Sequence, residues 1–142
     1  MSAQDPPKGI STEGVTAWFA EHAVGCTPPL DVSLIAGGHS NLTYTVTDAS
    51  DHRWVLRRPP LGHVLATAHD MAREHTIIAA LQGTAVPVPP VVGLCTDDAV
   101  NGAPFYVMDF VDGIVVRDAA TAGSLSVEQR RHASDSLVSV MA

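Results

Sequence analysis

GGHSNLTYTVTDASDHRWVLRRPP, residues 37–60, decides how the chain folds. Leu42, Tyr44 and Val46 alternate with Thr43, Thr45 and Thr47, the period-two pattern of a strand with one buried face. The turn formers Asp48, Ala49, Ser50 and Asp51 follow, and a second run from Arg53 to Arg58 stops at Pro59 and Pro60. Upstream, Val32, Leu34 and Ala36 alternate with Ser33 and Ile35 as far as Gly37 and Gly38. Three short strands with tight connections predict an antiparallel meander whose first turn is glycine-rich.

Working outward, Ser11 is placed to cap a helix running to about Ala23, with Val15, Trp18 and Phe19 on its apolar face. Residues 1–10 read as a disordered lead. On the other side, Thr67 and Asp70 form a T-x-x-D start signal for a helix from about Ala68 to Gln82, and Gly83 supplies its stop. Val86 to Pro90 is an extended, proline-rich connector. Two more strands, about Val91–Cys95 and Pro104–Phe110, are joined by a polar turn over residues 97–102. Ser126 and Gln129 then form an S-x-x-Q capping box that opens a helix still running at Ala142. The expected fold class is α+β: a five-stranded antiparallel sheet with a packed helix, an N-terminal helix and the opening helix of a further lobe. The expected division is a lead (1–10), a small lobe (11–110), a hinge and linker (111–125) and the start of that second lobe (126–142).

Composition narrows the function classes. At 142 residues the chain can bury one ordinary core without disulfides or a structural metal. Eight Lys and Arg stand against 15 Asp and Glu, a formal charge of −7, so the clustered cations that neutralise a nucleic-acid backbone are missing. Cys26 and Cys95 have no C-x-x-C spacing and read as reduced thiols. No stretch approaches 18 apolar residues and no secretory h-region is present, so no membrane partner and a cytoplasmic location are expected.

The chemistry begins with Glu74. At 100° per residue Met71, Ile78 and Leu81 form one stripe, and Glu74 falls within it. An ionised carboxylate on an apolar face calls for a cation from the element it packs against, unless it snorkels to solvent at the rim. Arg57, sharing a strand side with Val55, is favoured, and Arg58 is the alternative. Gly37, Gly38, His39, Ser40 and Asn41 form a turn able to approach an anion closely, with backbone N–H groups and the Ser40 and Asn41 side chains as donors. Most such hairpins are only turns, and His39 at the tip reads as a solvated turn residue ahead of a phosphate contact. His69 and His75 lie about 240° apart on a helix and cannot share a metal as the two histidines of H-E-x-x-H do.

The order of these parts resembles the small lobe of the protein-kinase-like fold and, more narrowly, the aminoglycoside phosphotransferase and choline kinase-like family. The segments that carry the resemblance are GGHSNLTYTV (37–46), WVLRRPP (54–60), HDMAREHTIIAAL (69–81), VPVPPVVGLC (86–95) and FYVMDFVDG (105–113). The resemblance implies that Gly37 to Asn41 cover the phosphates of ATP and that Arg57 is held by Glu74. It further implies that the Asp109 carbonyl and Val111 N–H meet the adenine edge beside Met108. The family's usual strand lysine is an arginine here, which replaces a point charge with a planar fork. ATP with Mg2+ is the implied cofactor, and the implied acceptor is a hydroxyl on an unidentified small molecule.

Phosphoryl transfer also needs a base or positioning carboxylate and metal ligands. The family's H-G-D-x-x-x-x-N loop does not occur in these residues: His132 and Asp135 are the only late pair, and no Asn follows at the required spacing. The sequence therefore reads as the ATP-binding N-terminal lobe of a small-molecule kinase, truncated and inactive alone, with a missing large lobe covering residues 126–142. The alternative is a noncatalytic, pseudokinase-type interaction module or decayed gene product, with a docking partner on that surface.

Overall fold

The computed structural model describes residues 5–35, 40–62 and 70–142. The chain runs α1 (Thr12–His22), β1 (Asp31–Leu34), β2 (Leu42–Thr47), β3 (Arg53–Arg58), α2 (Met71–Leu81), β4 (Val91–Cys95), α3 (Asp98–Asn101), β5 (Phe105–Asp109), α4 (Ala119–Gly123) and α5 (Val127–Met141). The five strands form one antiparallel sheet in the order β1-β2-β3-β5-β4. The α+β class and the meander are as the alternation predicts.

Strand parity gives the sheet two unlike faces. Tyr44 pairs with Leu56, Val46 with Trp54 and Leu56 with Val107, which sets these side chains on one side. There they meet Val15, Trp18 and Phe19 of α1 in the buried core. The rings pack edge to face, Trp18 on Phe105 at 5.2 Å and Phe19 on Trp54 at 5.4 Å between centroids. α1 also crosses α3 so closely that a Cβ at Gly14 would be driven into the Val100 carbonyl, so no other residue fits there without moving the helix. The opposite face carries Thr43, Val55, Arg57, Tyr106 and Met108, and α2 packs across β4 and β5 on that side of the molecule.

Several expectations are corrected. Residues 5–10 are not a loose lead: Ile10 is buried, the Tyr44 hydroxyl donates to the Lys8 carbonyl at 2.7 Å, and Arg58 Nη1 donates to the Gly9 carbonyl at 2.5 Å. Two donors on the dry face need acceptors, and the segment provides them from its backbone. α2 begins at Met71 rather than Ala68, because Asp70 is itself the cap, with extended backbone (φ −85°, ψ 98°) and a side chain accepting from Arg73 N–H at 3.0 Å. Thr67 and Ala68 lie outside the described residues. The turn at 97–102 contains the single helical turn α3, capped by Asp97 and ended by Gly102 at φ +75°. Inside the 111–125 linker Asp118 caps the short helix α4 through Thr121 N–H at 2.7 Å. The Ser126–Gln129 capping box is present in both directions, at 2.8 and 3.1 Å. No described helix is long and apolar enough to cross a membrane.

Candidate functional site

The site is built where β2, β3, β5 and α2 converge on one carboxylate. Arg57 reaches Glu74 side-on: Nε donates to Oε2 at 2.9 Å and Nη2 to Oε1 at 3.2 Å. This fork-to-fork geometry is what arginine permits and lysine does not. Arg57 Nη1 donates to Thr43 Oγ1 at 3.2 Å, its register partner on β2. Asn41 Nδ2 donates to Oε1 at 2.7 Å, and the Tyr106 hydroxyl donates to Oε2 at 3.0 Å. Each Glu74 oxygen thus accepts two hydrogen bonds, which exhausts the roughly four lone-pair sites of a carboxylate. The Arg57 and Glu74 side chains are 28% and 33% exposed, so the pair is sheltered yet open on one side. Burial pushes the Tyr106 phenol up from its ordinary value; its hydrogen bond to Glu74 and that carboxylate's charge add to the rise, and Arg57 partly offsets it. Tyr106 therefore remains a donor across the physiological range.

Arg58 is not the pairing residue. One position along β3 it points to the dry face and is 6% exposed, with Nε donating to the Pro59 carbonyl at 3.1 Å and Nη1 to the Asn101 carbonyl at 3.3 Å besides Gly9. Gly37, Gly38 and His39 lie outside the described residues, as does His69. Ser40 is exposed, whereas Asn41 is buried with its amide turned onto Glu74. At the other end of the site Asp109 closes β5 with its N–H on the Pro90 carbonyl at 2.8 Å, and Met108 faces Val55 across the register. Val111 is exposed, just past Phe110, whose N–H donates to the Arg53 carbonyl at 3.3 Å. Arg53 spans this crossover: its guanidinium lies 4.2 Å over the Phe110 ring and Nη2 meets Asp112 at 2.6 Å.

Sequence reading missed Tyr106, Thr43 and the Arg53–Asp112 contact. The parity of Tyr106 with Met108 was the available signal, but it becomes a position only once the β3–β5 register is known. Among the described residues no three His, Cys, Asp or Glu side chains cluster to hold a metal ion. His75 instead lies edge-on to Tyr106 at 6.2 Å. Cys26 and Cys95 are free thiols, and burial together with the Asp48 charge pushes the Cys26 thiol up, away from nucleophilic use.

Residues 31–142 match a family model described as the phosphotransferase enzyme family. Mouse (Mus musculus) acyl-CoA dehydrogenase family member 10 is 40% identical over 97 residues, covering 68% of this chain and 9% of that protein. Human (Homo sapiens) acyl-CoA dehydrogenase family member 11 is 30% identical over 128 residues, covering 87% of this chain and 16% of that protein. A crystal structure from Ralstonia eutropha JMP134, described as a "putative aminoglycoside phosphotransferase", matches with a TM-score of 0.71 and 32% identity. That match covers 89% of this chain and 35% of that one. The chain thus corresponds to a small part of each curated relative and about a third of the solved structure.

Proposed function

The chain belongs to the phosphotransferase enzyme family, and from that membership we propose that it supplies the ATP-binding side of a small-molecule kinase. In this reading the outer edge of the Arg57 guanidinium meets the nucleotide phosphates. The Gly37–Asn41 turn covers them from above, and the Asp109 carbonyl and Val111 N–H read the adenine edge. The observation that carries it is the side-on ion pair. Glu74, with all its lone pairs engaged, has no capacity left to act as a base, so its part is to hold Arg57. Among the described residues three of the five Arg57 N–H donors are engaged, and two are left for a phosphate oxygen. Catalysis of phosphoryl transfer is largely positioning and charge stabilisation, and this lobe contributes the first of these for the donor. Mg2+ neutralises phosphate charge when bound. The H-G-D-x-x-x-x-N pattern, which in the family supplies the positioning carboxylate, does not occur in these residues.

The acceptor is a hydroxyl on a small molecule. Because the curated relatives are named as acyl-CoA dehydrogenases, hydroxylated acyl-CoA thioesters belong in the acceptor screen beside aminoglycosides. The test is calorimetric titration of ATP into the chain and into Glu74→Ala. Binding that weakens at least about tenfold in the variant supports the reading, on the weight of a charge-assisted contact. Nucleotide affinity that Glu74→Ala leaves unchanged overturns it. One observation favours a second reading, a noncatalytic docking module: every residue of α5 is exposed, including Val127, Leu137, Val138 and Met141. Absence of any nucleotide affinity together with a stable, self-contained fold would favour that reading.

A further inference from the structure

We propose that Asn41 and Tyr106 are positioning residues, which fix the edge that Arg57 presents by occupying the lone pairs of Glu74 that Arg57 does not. The inference rests on the nucleotide reading for its purpose, though not for its geometry.

An arginine–carboxylate pair that is about one-third exposed has several arrangements open to it. The fork can engage end-on through both Nη atoms, or side-on through Nε and Nη2, and a carboxylate at a rim can rotate or swing out to water. Here the choice is made by groups outside the pair. Asn41, at the entry to β2, holds Oε1 at 2.7 Å, and Tyr106 of β5 holds Oε2 at 3.0 Å. Donors from two separate segments grip different oxygens, so the carboxylate plane cannot turn without breaking one of them. With that plane fixed, Nε and Nη2 are the edge that meets it, and Thr43 takes one N–H of Nη1. The free edge of the guanidinium then faces away from Glu74 in one orientation. A Tyr106 hydroxyl that stays protonated suits the task, because an ionised phenolate would repel the carboxylate. Asn41 therefore acts on the ion pair as well as standing in the glycine turn. Its amide serves the ion pair.

The test uses the whole chain with Tyr106→Phe, which removes only the hydroxyl, and Asn41→Ala. The readout is the solvent-exchange rate of the Arg57 Nε–H, followed in 15N–1H spectra and assigned by its loss in Arg57→Lys. Exchange about tenfold faster in each variant, in protein that still unfolds cooperatively, is the expected result. Unchanged exchange in both variants overturns the proposal, since the pair would then hold its own geometry. Nucleotide titrations separate this from the function itself. ATP affinity unaltered in Arg57→Ala overturns the nucleotide reading, while the exchange rate in Tyr106→Phe still decides whether the two residues position the guanidinium.

Discussion

Arg57 and Arg58 are neighbours on β3, and the two faces of the sheet use them in opposite ways. On the dry face Arg58 is buried and donates to the backbone carbonyls of Gly9, Pro59 and Asn101, which ties the N-terminal segment and α3 to the sheet. On the other face Arg57 meets a carboxylate, keeps one edge open and is only partly sheltered. A buried guanidinium whose donors are met by carbonyls is a structural clamp. The same group held by an acid at an open face is available to an anion. The difference arises from a single step along a strand, because successive side chains point to opposite sides.

The contrast can be broken most forcefully on the dry face. Phe19→Ala removes a fully buried ring that packs on Trp54, and should cost about 3–5 kcal/mol by urea unfolding. A loss below about 1 kcal/mol would mean that α1 does not hold the core. Arg58→Met comes next. It leaves three carbonyls without their donor and should cost about 2–4 kcal/mol, against less than about 1 kcal/mol for Arg57→Met at its half-open pair. Equal costs would erase the distinction between the buried clamp and the half-open ion pair.

Acid titration sharpens the comparison at the β2–β3 hairpin. Burial opposes the charged form of Asp48, yet hydrogen bonds from Thr27 N–H, the Ser50 hydroxyl and the N–H groups of His52 and Ser50 outweigh it and bring its pKa down to about 2. A folded-state value below the unfolded 3.8 means stabilisation complete above about pH 4 and lost as pH falls towards 2. Asp48→Asn should flatten that part of the stability–pH curve; an unaltered slope would assign it to other carboxylates. The smallest effect is expected at the exposed crossover. Asp112→Asn breaks a pair that is 42% and 80% exposed and should change stability by less than about 0.5 kcal/mol, diminishing further in salt.

Both faces were legible in the sequence as alternation, and Glu74 announced its partner by being a charge in an apolar stripe. Arg57 followed from its parity with Val55. What stayed hidden was whatever depended on pairing between distant segments. Tyr106 joins Glu74 only because β5 pairs with β3 in a register that sets it opposite Arg57, some fifty residues away. Asn41 reads as part of the turn that opens with Gly37 and Gly38, and only the position of α2 shows that its amide also reaches Glu74. The packed segment at residues 5–10 was invisible for another reason. It contributes carbonyls, which every residue type carries, so no composition marks it.

The most direct test compares the affinities of ATP and adenosine, measured by calorimetry for the natural chain and for Arg57→Ala. The account predicts that the natural chain binds ATP at least about tenfold more tightly than adenosine, and that the variant loses this preference while keeping its adenosine affinity. An ATP preference that survives removal of the guanidinium, or no preference in the natural chain, would contradict it.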